Sequence, residues 1–164
     1  DSSGRSYYLI PNGDGNWKKT APDVDKGHVM ATNQEKGGKV LPLVRLCKRW
    51  NKTKNATTIP SYMLETMIIN YADSVGELIG CIDFRFRYAL DYIANHIMLP
   101  VYDLKKIQGD LNNLSYTDKL TLKDKAKADY DKACEAWNYE QQGDHKTAIS
   151  KWGEIFGKDF PQYG

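Results

Sequence analysis

The stretch RLCKRWNKTKNATTIPSYMLET, residues 45–66, concentrates the side chains of this sequence that could bind an anion. Five of its first ten residues are Lys or Arg, although the net charge of the whole chain is only +2. A polar run follows, and then Pro60, Ser61 and Tyr62 place a small hydroxyl beside an aromatic ring. Cations grouped on a helix usually form a solvated face, so an anion-binding surface needs support from the residues around them.

Apolar spacing predicts that these cations lie on a helix that begins near Lys39 and tolerates Pro42 in its first turn. At about 100° per residue, one face of this helix is apolar and the opposite face is basic. The apolar face carries Val40, Leu43, Leu46, Cys47 and Trp50, and the basic face carries Arg45, Lys48, Arg49 and Lys52.

A second helix is predicted to begin at Pro60 or Ser61, because apolar residues follow at helical spacing. These residues are Leu64, Met67, Ile68 and Tyr71. Free N–H groups and the positive end of the helix dipole favour an anion beside Ser61. Two alternatives stay open: Ser61 could be an ordinary N-cap that forms a loose capping box with Glu65, and Tyr62 could be a core residue.

The remaining elements give an α+β fold that is mostly α. Two short strands, Tyr7 to Ile10 and about Trp17 to Thr20, flank a run of turn residues. A lone hairpin is marginal in water, so this one is expected to complete a sheet whose other strands lie elsewhere. The polar segment from Pro22 to Gly38 is predicted to be a loop.

Helical patterns continue to the end of the sequence. The third helix is predicted from Ile82 to Leu99, the fourth around Leu122 to Trp137, and the fifth from Asp144 to Gly157, with residues 101–119 as a polar connection. The core-facing residues of these helices are Ile82, Phe86, Ala89, Ile93 and Ile97, then Leu122, Ala126, Tyr130, Ala133 and Trp137, and then Ala148, Ile149, Trp152 and Phe156.

Length and composition favour one soluble domain, since the chain has 164 residues of which 41% are hydrophobic. No apolar run reaches the roughly 18 residues of a membrane helix, and the first residues lack the pattern of a signal peptide. We therefore expect a cytoplasmic protein with no membrane partner. Cys47, Cys81 and Cys134 give no disulfide framework, and we expect buried, reduced thiols.

Carboxylates and histidines give weak catalytic or metal candidates. Asp129 and Asp131 form a DxD pair in a helical pattern, where positions i and i+2 point about 200° apart and cannot share a metal ion. Asp23 and Asp25 form a second pair in the predicted loop, without a Gly-Ser phosphate loop upstream. His96 lies near the apolar face of its helix, and we expect a partly buried, hydrogen-bonded side chain.

Four segments in this order resemble the carboxy-terminal helical lobe of the cyclic GMP-AMP synthase and oligoadenylate synthetase superfamily. They are YLIPNGDGNWKKTAP (Tyr8–Pro22), VLPLVRLCKRWN (Val40–Asn51), IPSYMLE (Ile59–Glu65) and ISKWGEIFGKDFP (Ile149–Pro161), with His28 and Asn33 between the first two. Within the superfamily, the chain most resembles the bacterial CD-NTases, the cyclic oligonucleotide synthases of CBASS anti-phage defence. The resemblance implies that residues 1–38 are a hairpin and loop of a nucleotidyltransferase core and that residues 39–164 are its helical lobe.

By this resemblance, four residues form the donor side of a nucleotide cleft. Lys48 and Arg45 match positions that reach the triphosphate. Ser61 matches a small polar residue that bonds the same phosphates, and Tyr62 matches the aromatic residue that stacks on the base. The physics agrees, because ammonium and guanidinium groups make charge-assisted hydrogen bonds with phosphates. Stacking of a base on a Tyr side chain contributes about 1–3 kcal/mol, and this contribution comes from the ring and not from the hydroxyl.

The resemblance also implies catalytic groups that this sequence does not contain. The family's chemistry needs a Gly-Ser loop and three carboxylates that hold two Mg²⁺ ions, and Asp1 is a poor candidate for the third carboxylate. We therefore expect no catalytic residue and no metal ligand in this chain, and we expect Mg²⁺ to be bound by an amino-terminal catalytic half. The chain alone is expected to be inactive. Its expected partners are nucleoside triphosphates, that amino-terminal half and, as a further candidate, a regulatory protein.

Two classes of protein without catalytic function remain as alternatives. One is a helical scaffold that binds protein or RNA through the basic face of Arg45, Lys48, Arg49 and Lys52. Its affinity for a partner would not depend on Tyr62. The other is a tetratricopeptide-like interaction domain built on residues 120–157, although no second copy of the repeat is found.

Overall fold

A computed structural model of the chain describes residues 8–11, 15–20, 22–53 and 57–164. Within these ranges, two strands are followed by six helices. The strands are β1 (Tyr8–Pro11) and β2 (Trp17–Thr20), and the helices are α1 (Pro22–Glu35), α2 (Val40–Asn51), α3 (Ser61–Ser74), α4 (Ile82–His96), α5 (Tyr116–Gln141) and α6 (His145–Phe156). The prediction of a mostly helical α+β fold is confirmed. Along the described ranges, no helix is both long enough and apolar enough to span a membrane.

β1 and β2 form the predicted antiparallel hairpin, in which each residue of β1 lies opposite one of β2. Tyr7 and residues 12–14, which were predicted to extend the first strand and to form the turn, lie outside the described residues. Leu9, Ile10 and Trp17 are 55%, 38% and 65% exposed. Within the described ranges the strands pack on each other and on no helix, so the apolar side chains of the hairpin remain uncovered there.

The polar segment after the hairpin is helix α1, whereas the sequence predicted a loop. Apolar positions are too sparse in α1 to give a periodic pattern, and among the side chains of α1 that the structure describes, Val29 belongs to the core. Asp23 and Asp25 therefore lie in a helix. α1 packs on α2 and α3, while the domain boundary at residue 38 stays a prediction.

Two polar side chains fasten the segment between α1 and α2. Asn33 Oδ1 accepts a hydrogen bond from Leu41 N at 3.0 Å, so a residue of α1 caps the first turn of α2. Lys36 Nζ donates to Val75 O at 3.0 Å. These bonds hold the start of α2 against the segment that follows α3.

One hydrophobic core joins the helices. α2 and α3 bury the faces that their spacing predicted, with Val40, Leu43, Cys47 and Trp50 on α2 and Leu64, Met67, Ile68 and Tyr71 on α3. α5 packs on both α4 and α6, and Leu122, Ala133 and Phe156 belong to the same core. α5 and α6 are therefore part of this core and do not form a separate hairpin domain.

Two positions predicted to face the core are exposed. Ile82 at the start of α4 is 38% exposed, and Trp137 near the end of α5 is 39% exposed. Arg87 is only 6% exposed, and its guanidinium stacks on the Trp137 ring, with Cζ 5.1 Å from the ring centroid. A cation therefore covers a ring face where apolar neighbours were expected. α4 also ends at His96 rather than at Leu99.

A buried network fastens the end of α2 to α5. Trp50 Nε1 donates to Asp129 Oδ2 at 2.7 Å, and Lys125 Nζ donates to the same oxygen at 2.6 Å. Lys125 Nζ also lies 4.4 Å from the centroid of the Trp50 ring, within cation–π range. Asp129, one of the DxD carboxylates, is thus held in a structural network.

Asp129→Ala should lower the free energy of unfolding by about 1–3 kcal/mol, because the Trp50 indole N–H would be buried without an acceptor. Asp131→Ala is the matched control. Asp131 pairs with Lys127 at 2.8 Å on the exposed side of the same helix, and such i,i+4 pairs contribute about 0.3–0.5 kcal/mol. Urea titrations measure both losses. Equal losses would show that the Asp129 network does not fasten α2 to α5.

Candidate functional site

The end of α2 and the start of α3 are joined by a two-way hydrogen bond between Asn51 and Ile59. Asn51 Nδ2 donates to Ile59 O at 2.7 Å, and Ile59 N donates to Asn51 Oδ1 at 2.9 Å. Both residues are buried, so water competes poorly for these bonds. This Asn51–Ile59 clamp fixes the point from which Ser61 and Tyr62 follow.

Lys48 on α2 reaches α3 through an ion pair. Its Nζ donates to Glu65 Oε2, and the two side chains are 35% and 23% exposed. Glu65 lies one turn after Ser61 on α3, so the pair places the Lys48 ammonium group beside the first turns of α3. Arg45, one turn before Lys48, is exposed and has no hydrogen-bonding or charged partner among the described residues.

Ser61 is the first residue of α3, and Pro60 is its N-cap. No side chain caps this end of the helix, and Glu65 pairs with Lys48, so the capping box considered for Ser61 and Glu65 does not form. The first N–H groups of an α-helix point out of its N-terminal end, and the exposed Ser61 hydroxyl lies at this end of α3. This end of α3 has the chemistry of an anion site.

Tyr62 is half-buried, and its hydroxyl and ring have separate partners. Its Oη donates to Asp103 Oδ1 at 2.6 Å, and the Lys105 ammonium group lies 4.9 Å from the ring centroid. Asp103 is buried and also accepts hydrogen bonds from the backbone N–H groups of Lys105, Ile107 and Gln108. Burial raises the pKa of Asp103, but the bonds from Tyr62 and these N–H groups outweigh it, so the pKa lies below its ordinary value.

Tyr62 lines a cleft of about 280 Å³ between the start of α3 and the segment that follows α4. Gln108, Asp110 and Asn113 line the same cleft. Its volume is close to the lower end of the roughly 300–1,000 Å³ of ligand pockets. Lys48, Arg45 and Ser61 do not line this cleft, so the structure separates the predicted phosphate-binding groups from the space beside the ring.

The basic face of α2 is less cationic than the sequence suggested. Lys48 is paired with Glu65, and Arg49 Nη2 lies 3.2 Å from Asp159 Oδ2. Arg45 and Lys52 are exposed and have no acidic partner within the part of the chain that the structure describes. A polyanion such as RNA would therefore meet a partly neutralised surface.

Mg²⁺, which the family resemblance implied, does not fit the described residues. Nowhere in the described ranges do three or more His, Cys, Asp or Glu side chains lie close enough together to hold a metal ion. The DxD carboxylates have different partners, since Asp129 binds Trp50 and Asp131 binds Lys127. His96 is partly buried as predicted, with Nδ1 2.8 Å from a backbone oxygen on its own helix.

The cysteines differ from the prediction of three buried thiols. All three are free, but only Cys47 is buried, while Cys81 is exposed and Cys134 is intermediate. The prediction was wrong for Cys81 because this residue precedes α4 and lies outside its packed turns. Burial raises the pKa of Cys47. A hydrogen bond with Asp83 raises the pKa of Cys81.

Comparisons with known proteins agree with this architecture. No family model matches the chain. The chain is 39% identical over 160 residues to a probable cyclic nucleotide synthase of Bacillus cereus (strain VD146), across 98% of this chain and 48% of that protein. The structure of E. coli MS115-1 CdnC with ATP has the same fold, with a TM-score of 0.77 and 15% identity over 93% of this chain and 55% of that one. The chain is CD-NTase-like. It spans about half the length of either relative.

In this CD-NTase-like chain, sequence reasoning found the candidate nucleotide-binding groups but missed the residues that hold them. Glu65 was considered only as a capping residue, and Asp103 lay in a segment predicted to be a plain polar connection. Asp103 has a local signal, because an Asp among turn residues often bonds backbone N–H groups further along the chain. Its bond to Tyr62 has no such signal, since the two residues are 41 positions apart.

The Tyr62–Asp103 bond should make stability depend on pH. Because the pKa of Asp103 is lowered in the folded chain, its stabilising effect is complete above the ordinary value of 3.8 and is lost as the pH falls through the folded pKa. Tyr62→Phe should lower the free energy of unfolding by about 1.5–3 kcal/mol at pH 6, the contribution of a hydrogen bond to a charged group. The loss should be smaller at pH 3 than at pH 6, because a pH below 3.8 is closer to the lowered pKa of Asp103.

The control is Tyr102→Phe, which removes a hydroxyl from a neighbouring Tyr that is 67% exposed. Urea titrations of both variants at the two pH values make the comparison. An equal, pH-independent loss in both variants would show that the Tyr62 hydroxyl does not stabilise the Asp103 carboxylate.

Proposed function

We propose that the chain forms the donor-nucleotide side of the cleft of a nucleotidyltransferase that makes cyclic or linear oligonucleotide second messengers from nucleoside triphosphates in anti-phage defence. One observation carries the proposal: the Lys48–Glu65 pair and the Asn51–Ile59 clamp hold a Lys beside the exposed start of α3, where Ser61 and Tyr62 lie. The cyclic nucleotide synthase named among the relatives supports it. Because the chain spans about half of that relative, the activity is proposed for a complete enzyme that contains such a lobe.

The phosphates are proposed to bind at the start of α3. The triphosphate is anionic, so the exposed Arg45 guanidinium and the Lys48 ammonium group would make charge-assisted hydrogen bonds with it. Ser61 Oγ and the N–H groups of the first turn add donors at the positive end of the helix dipole. Glu65 now accepts the bond from Lys48, so a phosphate oxygen would have to replace this carboxylate.

The base is proposed to stack on Tyr62. Tyr62 lines the cleft of about 280 Å³, and stacking on its ring would contribute about 1–3 kcal/mol. The bond to Asp103 fixes the position of the ring in advance, so little conformational freedom would be lost on binding. Gln108 and Asn113 line the same cleft and carry amide groups that can bond the edge of a base.

Mg²⁺ is proposed to be bound by carboxylates of an amino-terminal catalytic half, because the described residues offer no group of side chains that fits it. The hairpin is proposed to join the sheet of that half. Its exposed Leu9, Ile10 and Trp17 side chains support this role, since such clusters usually mark a contact surface. A cytoplasmic location and a regulatory protein partner are part of the same proposal.

The two alternative classes have less support. A scaffold that binds RNA or protein through the basic face of α2 would need cations that Glu65 and Asp159 now neutralise. A tetratricopeptide-like domain would need a hairpin that folds as its own unit, whereas α5 shares the core of α4. Neither class explains why Tyr62 is fixed beside a cleft.

In the complete enzyme, Lys48→Ala should weaken the binding of a non-hydrolysable nucleoside triphosphate, and the loss should shrink at high salt because screening already weakens the wild-type contact. Glu65→Gln should have the opposite effect. It removes the carboxylate that competes with phosphate for Lys48, so affinity should rise by about threefold to tenfold, which corresponds to roughly 0.6–1.4 kcal/mol. Calorimetric titrations at two salt concentrations measure both effects.

Tyr62→Ala is the contrasting variant in these titrations. It should cost about 1–3 kcal/mol of binding free energy with little salt dependence, because stacking is the contribution that is removed. Tyr62→Phe should lose less affinity than Tyr62→Ala, since it keeps the ring and loses only the Asp103 bond that orients it. If Lys48→Ala and Tyr62→Ala both fold and bind nucleotide as the parent does, the proposed site is wrong.

The 164-residue chain by itself should form no oligonucleotide. The reason is chemical: the sequence has no Gly-Ser loop followed by a pair of carboxylates, and bound Mg²⁺ supplies charge stabilisation that Lys48 cannot replace. Incubation of the purified chain with radiolabelled nucleoside triphosphates and Mg²⁺ tests this expectation. A robust new product would overturn the assignment of the catalytic groups to another part of the enzyme.

A further inference from the structure

Arg87 on α4 is a buried cation between aromatic rings. It is 6% exposed, and its Cζ lies 5.2 Å from the centroid of the Phe84 ring and 5.1 Å from that of the Trp137 ring. Both distances are within the range of cation–π attraction. The two rings attract the guanidinium, but they do not neutralise its charge.

Among the residues that the structure describes, no acidic side chain pairs with Arg87. Asp83 and Asp91 lie one turn before and one turn after it on α4, yet Arg87 forms no ion pair or hydrogen bond with them or with any other residue in the described ranges. Its Nε is buried without an acceptor. An unpaired buried charge is costly. The group that best satisfies a guanidinium is a carboxylate, which can accept two parallel hydrogen bonds.

Apolar side chains beside Arg87 are partly exposed, although Arg87 itself is buried and does not line the cleft that opens next to Phe84. Trp137 and Tyr88 are 39% and 43% exposed. The Phe84 ring lies 4.8 Å from the Tyr88 ring, and both rings line a cleft of about 330 Å³ together with Ile79, which is 56% exposed. We call these five residues, Ile79, Phe84, Tyr88, Arg87 and Trp137, the Arg87 surface.

We propose that the Arg87 surface binds a segment of a partner protein in which an acidic side chain is flanked by bulky apolar residues. The carboxylate bonds the Arg87 guanidinium, and an apolar side chain enters the cleft beside Phe84 and Tyr88. Trp, Tyr and Arg are the residue types most enriched at interface hot spots, and the surface contains one of each. This binding function goes beyond the proposed nucleotide site, which lies on α2 and α3.

The charges around the surface favour a single carboxylate over a phosphate-rich ligand. Arg85 donates to the backbone oxygens of Ile79 and Gly80, so it is already engaged and does not add a second open cation. Glu77 lines the cleft and would repel further negative charge. A nucleic acid or an anionic membrane needs several cations, whereas a peptide carboxylate needs one guanidinium.

The test titrates the 164-residue chain with two blocked peptides, N-acetyl-Phe-Glu-Phe-amide and its Gln counterpart. Binding is measured from the NMR signals of the Arg87 Nε–H and Trp137 indole N–H groups. The Glu peptide should shift both signals saturably and bind about tenfold or more tightly than the Gln peptide. Arg87→Leu should reduce the affinity for the Glu peptide to that for the Gln peptide. Arg87→Lys should retain the fold and bind the Glu peptide weakly, because it keeps the charge without the planar fork.

Thermal unfolding separates this role from a structural one. If Arg87 binds a carboxylate of another molecule, Arg87→Leu should melt at the same or a higher temperature, because an unpaired buried charge has been removed. Lys123→Leu, which removes an exposed cation from α5, is the control and should leave peptide binding unchanged. A lower melting temperature for Arg87→Leu alone would make Arg87 a packing residue and overturn the proposal.

Three other outcomes would also overturn it. Equal affinity for the Glu and Gln peptides would show that no carboxylate is recognised. A concentration-dependent dimer in sedimentation experiments that Arg87→Leu abolishes would make a second copy the occupant. Protection of Trp137 from hydroxyl radicals in the complete enzyme without peptide would show that the enzyme itself covers the surface.

Discussion

The Asn51 side chain bonds both polar groups of the Ile59 backbone, and these two bonds fasten the end of α2 to the residues that lead into α3. The preceding residue, Trp50, bonds Asp129 on α5, so the end of α2 is fastened on two sides at once. Because α3 begins just after Ile59, its orientation against α2 follows from this point. The Asn51–Ile59 clamp therefore sets the positions of Ser61 and Tyr62, although it lies outside the proposed nucleotide site.

Three carboxylates position side chains on the neighbouring helices. Glu65 holds Lys48, Asp103 holds Tyr62, and Asp129 holds Trp50. Each joins two elements that are distant in sequence, and each leaves its partner oriented before any ligand arrives. Lys48 is already paired with Glu65, so it must exchange this carboxylate for a phosphate before it can bind a triphosphate. The proposed site is therefore organised in advance for the base and has to be rearranged for the phosphates.

The parts of the fold that obey a local period could be predicted from the sequence, and the parts that depend on single long-range bonds could not. α3 was predicted because apolar residues such as Ile68 recur along its buried face. α1 was missed because its few apolar residues, such as Val29, do not recur at helical spacing. Spacing placed Trp137 in the core, but no spacing rule shows that Arg87 would occupy one face of its ring. The nucleotide-binding candidates came from their order and family resemblance, and their supporting carboxylates came only from the structure.

The three thiols differ in burial, so they differ in their accessibility to labelling reagents. Cys81 is exposed just before α4, one residue after Gly80 and close in sequence to Ile79 and Phe84, whereas Cys47 is inaccessible within the core. Since the raised pKa of Cys81 slows its reaction at neutral pH, mildly alkaline maleimide coupling would favour this thiol over the buried one. A native side chain could thus carry an environment-sensitive dye next to the Arg87 surface, with no engineered cysteine and no disturbance of the Asn51–Ile59 clamp.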